Sequence, residues 1–105
     1  MMIQHTVAFR LQPGAEADDF LTRARALAAI AGVKDFEVLR QIGKKNTFTH
    51  GLSMYFGDQS AYDSYNNHPD HLAFVNKVWL PNVADFLEVD YVRDEPRTDQ
   101  MGVHP

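Results

Sequence analysis

The residues able to move protons are the place to begin. The chain carries five histidines and no cysteine. Histidine takes or gives a proton near neutral pH, which makes it the usual general acid or base. His5 and His50 sit in stretches of alternating polarity. His68 and His71 bracket a Pro-Asp pair in the run His68-Pro69-Asp70-His71, with Tyr65 just before it and Asp90 near the end of the folded part. A tyrosine hydroxyl can donate to an oxygen that gains negative charge. A carboxylate behind an imidazole fixes its tautomer and strengthens it as a base. Asp90 can play that part for His71 or for another imidazole. His104 lies in a polar terminal stretch and is set aside.

Each of these residues also has a structural use. His5 and His50 on apolar strand faces fit hydrogen-bonded core histidines. His68, just before a proline, fits a helix cap. Tyr65 fits a packing residue with a satisfied hydroxyl, and Asp90 a strand terminator. His71 enters an apolar helical face in a first turn, where function and structure compete evenly. His68 and His71, three apart, can share a metal with His5 or His50. The break at Pro69 spoils that register and no HExxH pattern occurs, so neither a metal nor a cofactor is expected. There is no GxSxG elbow and no phosphate-cradling glycine loop. The absence of cysteine removes disulfides, thiolate metal sites and a cysteine nucleophile.

The elements that must position these groups follow from periodicity. Residues 2–10 alternate, with Ile3, His5, Val7 and Phe9 on one face, and predict a strand. Gln12-Pro13-Gly14 ends it. Helical spacing of Phe20, Ala24, Leu27, Ala28 and Ala31 predicts a helix over 15–31, closed by Gly32. Strands are predicted over 33–41 and 47–56, the latter with His50, Leu52, Met54 and Phe56 on one face. Asp58 is the expected N-cap of a short helix carrying Ala61, Tyr62 and Tyr65. A second helical segment is predicted from Pro69 to Leu80, ended by Pro81. Residues 84–92 predict the last strand, with Phe86, Glu88, Asp90 and Val92 in phase. Residues 1–92 read as one domain and 93–105 as a polar C-terminal tail.

The order β-α-β-β-α-β is the ferredoxin-like arrangement, an α+β fold with two helices on one face of a four-stranded antiparallel sheet. If the strand faces bearing His5 and His50 look toward the helices, both imidazoles enter the space that His71 also reaches. The other face carries Leu87, Val89 and Tyr91, which predicts a homodimer packed through the open sheet face. With 105 residues, 45% of them hydrophobic, the chain is one ordinary soluble domain. A net charge of −4 with no basic stripe argues against nucleic acid. No apolar run approaches the roughly 20 residues of a membrane span, and no signal peptide opens the chain. A cytoplasmic protein with a small-molecule ligand is the expectation.

These segments resemble the stress-responsive dimeric A/B-barrel (Dabb) family. The resemblance rests on Ile3-Gln4-His5-Thr6-Val7-Ala8-Phe9-Arg10, on Thr49-His50-Gly51-Leu52 with Tyr55-Phe56, and above all on Tyr62-Asp63-Ser64-Tyr65-Asn66-Asn67-His68-Pro69-Asp70-His71. It covers about residues 2–92. It implies a dimeric α/β barrel and no single function, many members having no known activity. One member, olivetolic acid cyclase, closes a linear poly-β-ketone thioester by intramolecular aldol condensation. By that resemblance His71 matches the base, Tyr65 a pocket hydroxyl, Asp90 the carboxylate supporting the base, and His5 and His50 further polar groups of the pocket. The expected function is therefore a cofactor-independent cyclase or lyase acting on a small carbonyl compound. A non-catalytic stress or ligand-binding dimer with structural histidines is the rival. A haem-degrading or cofactor-free monooxygenase of the same barrel architecture stands third.

Overall fold

The computed structural model describes residues 1–95. His104 and most of the expected tail lie outside the described residues. Strand β1 (Ile3–Leu11) buries Ile3, His5, Val7 and Phe9 on one face, as its period of two requires. It leads to helix α1 (Ala17–Arg25), which buries Phe20, Leu21 and Ala24. The helix does not run to residue 31. At Ala26 it tightens into a 3₁₀ turn (Ala26–Ala29), and Ile30 is already extended. A 3₁₀ turn brings residues three apart onto one side. Leu27 and Ile30 therefore both reach the core. Gly32 follows with φ +91°, a left-handed conformation that glycine adopts without steric cost.

Strands β2 (Lys34–Arg40) and β3 (His50–Phe56) form an antiparallel pair whose register shifts between Lys34 and Glu37. Helix α2 (Gln59–Asn66) begins at Asp58, whose carboxylate accepts the Ala61 N–H at 2.8 Å, as expected of an N-cap. Helix α3 (Pro69–Phe74) opens with proline in its first turn, after the predicted break. Beyond Phe74 the backbone widens into a π-turn (Val75–Trp79) and then makes one more α-helical turn, α4 (Leu80–Asn82). Pro81 thus lies inside the last turn and not after it. Its ring has no N–H to give and presses on the carbonyl four residues back, which a widened turn relieves.

Strand β4 (Val83–Val92) completes a sheet of order β2-β3-β1-β4, antiparallel throughout. His5 on β1 stands opposite Met54 on one side and Asp90 on the other; Val7 stands between Leu52 and Glu88. The helices cover this face, with Phe9, Phe20, Met54, Phe56 and Tyr65 almost wholly buried between the layers. The opposite face is open, and Leu39, Leu87 and Tyr91 are exposed on it. No described helix is long and apolar enough to cross a membrane.

Candidate active site

A cavity of about 290 Å³ lies between sheet and helices. The sheet contributes His5, Val7, Leu52 and Met54 as its floor. Helices α2 and α3 bring Tyr65, His71 and Phe74, the π-turn brings Val75 and Trp79, and β4 adds Phe86 and Glu88 at the edge. Such a volume is at the lower end of the roughly 300–1,000 Å³ typical of ligand pockets. Its lining is mostly apolar with a few converging polar groups, the usual pattern of a small-molecule site.

His71 is half-buried and lies against Tyr65, their ring centroids 4.4 Å apart. Its Nδ1 is 3.0 Å from the Asn66 carbonyl oxygen, which can only accept. The proton is therefore on Nδ1, and Nε2 is the ring's free lone pair. Burial pushes the His71 pKa below its ordinary value of 6.5, with His5 and His68 adding to the shift while the Asn66 carbonyl and Glu88 oppose it. The ring is a neutral base at pH 7. Tyr65 is buried, and its hydroxyl makes no hydrogen bond with another described residue. Burial, with Glu88 nearby, raises its pKa far above 10, so it remains a donor.

His5 has a different environment. Its Nδ1 lies 2.6 Å from Asp90 Oδ1, the partner its strand register dictates. The Tyr62 hydroxyl donates to Asp90 Oδ2 at 2.8 Å and lies 2.9 Å from the same Nδ1. With one proton on Nδ1 shared toward Asp90, the three groups form a closed triangle. Burial and the Asp90 carboxylate raise the Tyr62 pKa strongly, so this hydroxyl also stays protonated. On the cavity side, His5 Nε2 is 3.7 Å from Glu88 Oε1.

The predicted residues do not all meet. His5, Tyr65 and His71 come together in one cavity. Asp90 is brought to His5 and not to His71, because β4 pairs with β1 and places the two side by side. His50 lies on the helix-facing side as expected but does not line the cavity. It pairs with Phe9, four residues along β1 from His5, or about 13 Å at the strand rise. There it stacks on the Phe9 ring at 5.8 Å, and its Nδ1 is 2.9 Å from Thr49 Oγ1. His68 caps α3, accepting the Asp70 N–H on Nδ1 at 3.0 Å, and does not line the cavity either. Among the described residues no three His, Cys, Asp or Glu side chains converge as metal ligands would.

Two residues of the site were not singled out from the sequence, Tyr62 and Glu88. Tyr62 precedes Tyr65 by three residues, the spacing that puts both on one helical face. Glu88 alternates with Phe86 and Asp90 and so shares their side of the sheet.

The sheet order and the helices gathered on one face define a ferredoxin-like α+β domain. The chain belongs to the Stress responsive A/B Barrel Domain (Dabb) family, whose model matches residues 3–93. A stress-response A/B barrel domain-containing protein from Arabidopsis thaliana is 28% identical over 98 residues. That match takes in 89% of this chain but spans only 37% of the relative's length. Among solved structures, a Dabb family protein with a ferredoxin-like fold from Mesorhizobium loti is 50% identical. It superposes with a TM-score of 0.84 over 88% of this chain and 96% of its own. A dimeric ferredoxin-like protein of unknown function from Thermobifida fusca matches at 23% identity and TM-score 0.74, covering 89% and 92% of the two chains. The hydroxynitrile lyase of Passiflora edulis, at 18% identity, has a TM-score of 0.81 over 91% and 96%. These last two likenesses are of fold.

Proposed function

We infer that the protein is a small-molecule lyase or cyclase that removes a proton next to a carbonyl group. The observation that carries this reading is the pairing of His71, its ring held neutral, with the hydroxyl of Tyr65 in one largely apolar cavity, the His71 Nε2 and that hydroxyl having no hydrogen-bond partner among the described residues. His71 Nε2 takes the proton from the carbon alpha to a carbonyl. Tyr65 donates to the carbonyl oxygen as it becomes an enolate. The enolate carbon then attacks a second carbonyl and closes a ring. In the reverse sense, His71 deprotonates a hydroxyl and the carbon–carbon bond beside it breaks. In both directions the imidazolium returns the proton to the product. His5 with Asp90 forms a second, braced imidazole on the cavity floor.

The closed triangle of His5, Asp90 and Tyr62 also suits a ligand-binding protein with structural histidines. It is His71, which has no such brace, that favours catalysis. A homodimer through the open sheet face fits the exposed Leu39, Leu87 and Tyr91 and the dimeric description of the Thermobifida neighbour. The lyase name of the Passiflora neighbour agrees with the reaction class.

The test is a panel of β-hydroxy ketones, cyanohydrins and linear β-polyketones, assayed for bond cleavage or ring closure with wild type and His71→Ala. Turnover by the wild type that falls at least about 100-fold in the variant supports the reading. Equal turnover by both removes His71 as the base.

A further inference from the structure

Glu88 has no part in the chemistry just described, yet it lines the cavity. Beside it, His5 turns Nδ1 to Asp90 and Nε2 to the cavity side. Glu88 Oε1, which accepts and does not donate, stands 3.7 Å from Nε2, beyond hydrogen-bond length. The carboxylate therefore has no hydrogen-bond donor among the described residues and can take one from a ligand. No lysine or arginine is among the described cavity-lining residues, so no permanent cation there balances a negatively charged ligand. The Tyr65 hydroxyl, a donor without a partner among the described residues, belongs to the same cavity. One end of the site thus offers a donor to a carbonyl oxygen, and the other a carboxylate acceptor.

We propose that the Glu88 carboxylate, beside His5, forms a seat for a hydroxyl group of the substrate, which makes Glu88 the specificity determinant of the cavity. The ligand class that follows is a compact, uncharged hydroxy-carbonyl compound, one ring or a short chain in size. Its carbonyl lies toward Tyr65 and His71 and its O–H toward Glu88. A carboxylate or phosphate in place of that hydroxyl is excluded by the Glu88 charge. This inference rests on the cavity of the proposed function being a small-molecule site, but not on His71 acting as a base. A hydrogen bond to a charged group separates matched ligands by about tenfold or more when one of them lacks the donor.

Trp79 lines the cavity and is the only tryptophan of the chain, so its fluorescence reports occupancy. Three aryl ketones of similar shape serve as probes: 3-hydroxyacetophenone, 3-methoxyacetophenone without the donor, and the anion 3-acetylbenzoate. Titrated into the wild-type protein, the hydroxy compound is expected to quench Trp79 with at least about tenfold tighter affinity than either analogue. In Glu88→Met that preference is expected to shrink to about threefold or less, while the methoxy compound binds as before. Glu88 is half-exposed, so the variant should keep its fold, which its melting curve checks. If it does not fold, the wild-type ranking decides alone. Equal affinity of the hydroxy and methoxy compounds overturns the proposal. Tighter binding of the anion, no binding of any probe, or an unchanged preference in Glu88→Met overturns it too. Because binding is read without turnover, loss of this selectivity and loss of His71-dependent catalysis are separate results.

Discussion

An imidazole that is to act as a base at neutral pH must be unprotonated, and burial keeps His71 so. The folded pKa lies below the unfolded value, so the unfolded chain binds more protons across that interval. The contribution of His71 to stability is therefore full above about pH 6.5 and is lost as pH falls through 6.5 toward the lower folded value. Urea titrations at several pH values should show wild-type stability dropping below pH 6.5 and a flatter profile for His71→Leu. Catalysis should follow the same group: flat above neutrality and falling on the acid side as Nε2 takes a proton. Tyr65→Phe removes a hydroxyl that has no described partner. It should change stability by less than about 1 kcal/mol while lowering turnover tenfold or more, measured by melting and initial rates on one preparation. Histidine type and position were readable from the sequence. The partner of Asp90 was not, because an imidazole on a strand and one on a helix are equally good mates until the strand neighbours are known.

At the scale of elements, period-two alternation located all four strands and the His68-Pro69 step located the helix break. These signals are local, and local chemistry decides them. The His68 cap is one such case. His68→Ala leaves the Asp70 N–H without its side-chain acceptor and should cost about 1 kcal/mol in urea unfolding, without change in cavity ligand binding. Where the sequence was silent, the backbone geometry is set by tertiary packing. The early end of α1 follows from Leu27 and Ile30 both being drawn into the core. The π-turn at Val75–Trp79 answers the ring of Pro81 and carries Val75 and Trp79 to the cavity wall. Neither feature leaves a periodic trace. The placement of His50 failed for a related reason. Strand phase names the face a residue shares, but only register says how far along that face it lies from His5.

For the molecule as a whole, one face of the sheet is covered by helices and the other is not. Leaving Leu39, Leu87 and Tyr91 in water costs free energy that packing against a second copy would recover. Light scattering coupled to size-exclusion chromatography should find a dimer for the wild type. Leu87→Glu, a charge on the open face and away from the cavity, should shift it toward monomer with a lower melting temperature. The fold class and the open face were legible because they follow from element order and alternation. The cavity was legible only as a meeting of His5, Tyr65 and His71. Tyr62 and Glu88 escaped notice because a tyrosine in an apolar helix face and a glutamate on an edge strand are ordinary sights until their neighbours are in place.

Removal of a carbon-bound proton beside a carbonyl by His71 is open to direct test by deuterium exchange. The protein is incubated in D2O with 3-hydroxyacetophenone, and loss of the methyl-ketone proton signal is followed by NMR at pH 7. Exchange well above the buffer rate is expected for the wild type, weaker exchange for Tyr65→Phe, and a return to the buffer rate for His71→Ala. Binding of the ketone with no exchange by the wild type, or undiminished exchange by His71→Ala, would contradict the role given to His71.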